Sequence, residues 1–287
     1  MVNRVGTIIA TLRYARKWSG QVIVVKCGWD VVADRESLDA MAEDVALLRH
    51  QAGVRVVLIH GAGKAIDAAL KRRGLEPETI DGLRVTPLLV LRVVRAVATK
   101  TSRQLVQAIG KYGGLATNML DRTGNRWMHA MKRNSVAADG TPVNLGFVGD
   151  VTSVDREPLL SVLDNGGIPV VTHLGRGSAG RYFNVNADVV AAKIAEALHV
   201  KRVVFLSNVP GIRTKDGVVV RKARRKQLTT WLSDGTIHGG MIPKVKACLA
   251  ALDAGVESVT ITDGREYHQL LFELFTEEGA GTLITDE

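Results

Sequence analysis

The chain has 287 residues, 46% of them hydrophobic and 23% charged, which suits a globular protein built as one large domain or two lobes. No apolar run reaches the roughly 18 residues of a membrane span, the opening segment is interrupted by Arg4, Arg13, Arg16 and Lys17, and the two cysteines, Cys27 and Cys248, lie far apart. These features argue against a membrane protein, a secretory leader, a disulfide framework and a zinc site, so a cytoplasmic location is expected. The net charge of +9 suits anionic small molecules better than nucleic acid. Its densest basic run, Arg221 to Lys226, is accompanied by no aromatic RNA motif and reads as a solvated face.

Residues 5–18 have the apolar spacing of an amphipathic helix. A β-branched run over 21–26 predicts a buried strand. Leu38, Met41, Ala42, Val45 and Leu48 then predict a helix over 37–52, stopped by Gly53. A strand over 55–60 is followed by Gly61-Ala62-Gly63 and a helix over 64–73. A long helix is expected over 87–112 and short hairpins over 123–155. Strands over 168–172, 202–206 and 258–262 alternate with helices over 187–198 and 269–275. This βαβ succession predicts an α/β fold, a mainly parallel central sheet layered between helices. Ligands of such sheets sit at the carboxyl ends of the strands.

Four strings carry chemistry. Lys26-Cys27-Gly28-Trp29 and His60-Gly61-Ala62-Gly63 end the first two strands, where glycine turns can bring backbone N–H groups to a phosphate. Taken alone, each is more often an ordinary turn, and no G-x-x-x-x-G-K-[ST] loop is present. Asn184-Val185-Asn186-Ala187-Asp188 enters a helix; it reads as a polar cluster or as a cap made by Asn186 or Asp188. Gly239-Gly240-Met241-Ile242-Pro243-Lys244 reads as a phosphate-facing loop or as a turn with a surface lysine.

Together with Gly82-Leu83-Arg84-Val85-Thr86, Leu145 to Asp150 and Leu271 to Thr276, these strings resemble the amino acid kinase family, in particular its acetylglutamate kinases, over residues 20 to 284. The resemblance implies a three-layer sandwich with an amino-terminal helix (1–19), an acyl amino acid lobe (20–195) and a nucleotide lobe (196–287). It implies transfer of a phosphoryl group from ATP, arriving with Mg2+, to the side-chain carboxylate of N-acetyl-L-glutamate in arginine biosynthesis. Lys26 and Lys244 would stabilise the transferred group, and Asp188 would hold both lysines. Gly61, Ala62, Gly63, Arg84, Asn184 and Asn186 would contact the acyl substrate; Gly28, Ser207, Asn208, Gly211, Gly240 and Met241 would contact the nucleotide. No resident metal is implied. The helix over 5–18 is similar to one that joins dimers into hexamers in arginine-inhibited members, with Tyr14, His268 and Glu277 near the inhibitor; read alone, it is a helix docked on its own core or on a partner.

The chain departs from the family pattern at Trp29 and Ala62, where glycines are usual, at Asn208 for aspartate, at Pro87-Leu88-Leu89 for an acidic helix start, and at Ser102 for asparagine. A side chain is disfavoured where φ is positive, so Trp29 and Ala62 put the phosphate loops in question. Two alternatives follow: a divergent kinase of a related acyl or carrier-linked amino acid, and a non-catalytic regulatory paralogue.

Overall fold

In the computed structural model the described residues are 4–80, 82–136 and 141–286. Residues 1–3 of the expected amino-terminal segment, 137–140 of the expected hairpins and 287 of the expected nucleotide lobe lie outside them.

An eight-stranded sheet organises the chain. Its order is Lys222–Arg224, Thr282–Thr285, Ser258–Asp263, Arg202–Ser207, Val22–Cys27, Arg55–His60, Ile168–Thr172 and Ala116–Asn118. Six strands run parallel; Thr282–Thr285 is antiparallel to Ser258–Asp263, and Lys222–Arg224 runs parallel with it at the edge. Alternate residues of the central strands feed two separate cores. Val24, Val57, Ile59, Val171, Phe205 and Ile261 pack on one face with the helices Ala187–Leu198 and Met241–Asp253. Ile23, Val25, Leu58, Val170 and Leu206 pack on the other with Arg35–His50, Gln269–Phe275 and the end of Leu88–Lys111. Burial on both faces explains why these strands read as unbroken β-branched runs. Each fully buried Val, Ile or Leu contributes about 1.5–3 kcal/mol.

A second, four-stranded sheet has the order Tyr182–Asn184, Leu174–Arg176, Met128–Lys132 and Gly149–Val154. With the hairpin Thr79–Ile80/Leu83–Arg84 it carries the side chains that wall a cavity over the carboxyl ends of the main sheet. Ala195, where the two expected lobes meet, lies inside the helix Ala187–Leu198. The helix Arg4–Trp18 docks at its carboxyl end, where Trp18 Nε1 donates to Leu274 O at 3.0 Å. Ile8, Ile9 and Leu12 on the same helix remain exposed. Among the described residues no helix is long and apolar enough to cross a membrane.

Candidate active site

The strand Val22–Cys27 has Arg55–His60 on one side and Arg202–Ser207 on the other. The chain order of the strands reverses there, and a crevice opens at the carboxyl ends on each side of such a point. Lys26 stands near that end and is only 7% exposed. An ammonium at such depth requires an opposite charge, and Asp188 supplies it: Lys26 Nζ lies 2.7 Å from Asp188 Oδ1. The contact is an ion pair, and among the described residues Oδ1 receives no hydrogen bond of good direction. Asp188 lies in the first turn of the helix Ala187–Leu198, and Asn186 caps it, its Oδ1 accepting from Asp188 N–H at 2.7 Å. Capping and charge pairing thus divide between the two residues that the sequence left interchangeable. Burial pushes the Asp188 pKa up, but the charges of Lys26 and Lys244 outweigh it and leave the carboxyl below its ordinary value.

Lys244 is half-buried. Burial depresses its pKa most and Lys26 lowers it further, while Asp188 acts the other way. The field of Asp188 reaches both lysines, and among the described residues its direct ion pair is with Lys26. The stretch Gly239 to Lys244 departs from expectation. It is not a loop throughout: Gly240 is the N-cap, and Met241 to Lys244 open the helix Met241–Asp253. Pro243 fits because first-turn N–H groups have no helical acceptor to lose.

The glycine loops differ from expectation in which N–H groups they leave free. Gly28 N–H donates to Leu206 O at 2.8 Å and Gly61 N–H to Cys27 O at 3.1 Å, so neither is open to a phosphate. The open donors are those that start the helix Gly63–Lys71, which no side chain caps. A Cβ on Gly61 would lie 3.9 Å from Lys26 Cε and 3.7 Å from Ala187 Cβ, which places this loop beside the lysine.

Trp29 and Ala62 are compatible with the backbone of their loops. Trp29 opens the short helix Trp29–Ala33 and packs against the Val25, Val31 and Leu206 core. Ala62 has φ −143° and is buried in the apolar cluster that also holds Ile66 and Val90. Neither position has a positive φ, so neither requires glycine. Ser102 at its departure point is buried and lies 2.7 Å from His60 Nε2.

Beside the ion pair lies a cavity of about 200 Å³ lined by Gly61, Ala62, Gly63, Arg84, Asn184 and Asn186 among others. All six expected acyl-contact residues therefore meet in one place. Arg84 is held by Asp67 through Nη1 and by Gly63 O through Nη2 at 3.2 Å. Asn184 Nδ2 donates to Thr86 Oγ1 at 3.2 Å, and Thr86 Oγ1 donates to Arg84 O at 2.7 Å. Arg133, Asp150 and His173 also line the cavity and were missed. Arg133 Nη1 donates to Asp150 Oδ1 at 2.8 Å. Asp150 ends the Leu145 to Asp150 string and was within reach; nothing local marks Arg133 or His173.

The expected nucleotide residues are more dispersed. Ser207 ends its strand, buried, and Asn208 is exposed. Gly211 is buried where a Cβ would meet Thr282 Oγ1 at 2.4 Å, so the backbone passes close to the strand Thr282–Thr285 there. Gly240 is exposed and Met241 half-buried at the helix start that carries Lys244. Of the expected inhibitor residues, Tyr14 is half-buried on the first helix and Glu277 is exposed. His268 takes a left-handed conformation (φ 51°) before the helix Gln269–Phe275, and its Nδ1 shares a hydrogen bond with buried Asp44.

The Amino acid kinase family profile matches residues 21–263. An acetylglutamate kinase of Geotalea uraniireducens is 37% identical over 288 residues, covering 99% of this chain and 98% of that enzyme. The N-acetylglutamate synthase of Neisseria gonorrhoeae, solved with coenzyme A and N-acetyl-glutamate, superposes with a TM-score of 0.87 at 27% identity. This chain spans 63% of that synthase. The same synthase solved with coenzyme A and L-arginine gives 0.84 at 26% identity, with 65% of its length spanned.

Proposed function

The chain belongs to the amino acid kinase family and, within it, to the acetylglutamate kinases, and from that premise we propose that it transfers the γ-phosphoryl group of ATP to the side-chain carboxylate of N-acetyl-L-glutamate, as a step of arginine biosynthesis in the cytoplasm. The observation that carries this reading is the buried Lys26–Asp188 pair with Lys244 in its field, set beside a cavity whose walls hold Arg84 and Asn184.

The acceptor carboxylate is ionised at neutral pH, so the reaction requires no general base. The chemistry left to the protein is positioning and charge stabilisation. Arg84, oriented by Asp67, presents a guanidinium fork to the substrate's other carboxylate. Asn184 fixes the acyl amide. Lys26 and Lys244 hold charge that grows on the phosphoryl oxygens in the transition state. The uncapped start of the helix Gly63–Lys71 supplies N–H donors to the acceptor. Ser207, Asn208, Gly240 and Met241 border the nucleotide. Magnesium would arrive with the nucleotide and offset charge on its phosphates, while Asp188 is engaged by Lys26.

Copies of the chain are inferred to associate, with exposed Ile8, Ile9 and Leu12 supporting a contact through the first helix. An arginine-responsive site around Tyr14, His268 and Glu277 is supported by the arginine-bound synthase. The central test is direct. Protein incubated with ATP, magnesium, N-acetyl-L-glutamate and hydroxylamine should form the acyl hydroxamate. ATP binding without hydroxamate would rule out this substrate.

A further inference from the structure

His173 lies at the junction of the two sheets, after Ile168–Thr172 and before Leu174–Arg176. It is 4% exposed, yet it lines the cavity. Three neighbours fix it. Thr172 Oγ1 stands 3.4 Å from its Nδ1. Its ring meets that of His60 edge-on, with centroids 6.3 Å apart and planes at 89°. Its carbonyl accepts the N–H of Val185 at 3.0 Å, within the segment that carries Asn184 and Asn186. His60 is wholly buried, and Ser102 Oγ lies 2.7 Å from its Nε2. His173 thus presents a polar side chain to the cavity, beside the Gly61 loop that also lines it, with the buried His60 ring behind it. Burial above all depresses both pKa values, to about 3 for His60 and about 4 for His173, so both rings are neutral at physiological pH. The His173 ring adds hydrogen-bonding capacity to a site that already contains Lys26, Lys244 and Arg84, without adding charge.

We propose that His173 is a specificity-determining residue of this cavity: its imidazole, wedged against His60, sets the depth available to the substrate's acyl arm and gives that arm a polar neighbour. The inference rests on the acyl-glutamate reading above and deepens it. The fitting substrate has a short acyl group on an acidic amino acid. Longer alkyl arms would meet the ring.

The experiment compares N-acetyl-, N-propionyl- and N-butyryl-L-glutamate in the hydroxamate assay, with His173→Ala and His173→Asn beside the unaltered chain. A methylene in a fitted pocket discriminates by about 10-fold or more, and an unpaired polar contact costs a similar factor. His173→Ala should lower kcat/KM for the acetyl substrate by roughly 10-fold, mostly through KM, and shift preference toward the longer arms by at least ~10-fold. KM for ATP should stay within about twofold, since the change removes a contact with the other substrate only. His173→Asn, which keeps a neutral hydrogen-bonding group, should recover acetyl turnover to within roughly threefold. An unchanged order of acyl preference overturns the proposal. So does a loss shared equally by all three substrates with a raised KM for ATP, the mark of a structural role. Should His173→Ala fail to fold, His173→Asn and His173→Gln carry the comparison on the same criteria. Failure of the underlying reading has a different signature: the unaltered chain forms no hydroxamate with any of the three.

Discussion

Two buried ion pairs lie on neighbouring strands of the main sheet, and they are built to opposite ends. Arg202 begins its strand; Lys26 nearly ends the adjacent one. Arg202 pairs with Glu273 and also donates to Ser258 Oγ and Thr260 Oγ1, each at 2.9 Å. Glu273 in turn accepts from Thr260 Oγ1 and from Ala280 N–H, both at 2.7 Å. Among the described residues Nε is the nitrogen of Arg202 left without a hydrogen-bond partner. At the other end Lys26 has Asp188, held at 2.7 Å without a directed hydrogen bond to its Oδ1. Burying charge is costly unless the remaining donors and acceptors are satisfied. The Arg202 network comes close to satisfying them within the protein and serves the fold. The Lys26 pair leaves donors for a ligand, at the sheet end where ligands bind.

The comparison breaks most sharply by removing each cation. Lys26→Met or Lys244→Met should lower kcat by about 100- to 1,000-fold with a much smaller change in KM, because the charge is needed mainly in the transition state. Steady-state kinetics on both substrates test this; turnover within about twofold of the parent in both variants would remove the lysines from the chemistry. Arg202→Met should do the reverse. It strands Glu273 in the interior and should cost about 3 kcal/mol or more of unfolding free energy. Turnover per folded molecule should stay near the parent value. Denaturant unfolding and active-site titration separate the two quantities.

That asymmetry was partly legible in the sequence. The central strands were, because two-faced burial leaves uninterrupted runs such as Val22 to Val25. The helix Ala187–Leu198 was legible to its ends, since Asn186 is a strong cap. The edge strand Lys222–Arg224 was hidden inside a basic run: only Ala223 faces the core, while Lys222 and Arg224 face water and blunt the edge. The helix Met241–Asp253 was hidden by Pro243, a breaker everywhere but in the first turn. Within the site, Lys26, Arg84 and Asp188 stood in recognisable strings. Arg133 and His173 did not, because tertiary pairing delivers them: Arg133 by the hairpin that brings Asp150 opposite Met131, His173 by the crossing between sheets. Nor could sequence show that Arg202, on a strand read correctly, had a carboxylate 71 residues away.

A subtler difference lies in how the pairs respond to acid. Asp188 has a folded pKa below its ordinary value: burial raises it, and the two lysines more than offset this. A carboxylate of that kind stabilises the fold fully above its unfolded pKa of about 3.9 and loses the contribution as pH falls through the folded value. Stability of the parent chain should therefore decline as pH drops below about 4, and Asp188→Asn should show a shallower decline over the same window. Urea midpoints between about pH 5 and pH 2 provide the check. Equal slopes would mean that Lys26 and Lys244 do not stabilise this carboxylate in the folded chain.

The smallest expected effect concerns Trp29, the residue that put the first phosphate loop in question. Its ring contributes to the same core as Val31 and Leu206, on the opposite face of the sheet from Val24 and Phe205. If that packing is its role, Trp29→Ala should cost about 1–2 kcal/mol, the lower part of the range for large-to-small changes because the ring is half-buried. Turnover should move by less than about threefold, since no group that bears on the transferred phosphoryl is removed. Turnover faster than the parent by about 10-fold or more, with stability unchanged, would instead place the indole in the path of the phosphate and make the Lys26 end of the strand a partly obstructed site. Measured beside Arg202→Met, the variant asks whether a residue two positions from Lys26's neighbour Cys27 belongs to the chemistry or, like Arg202, to the fold alone.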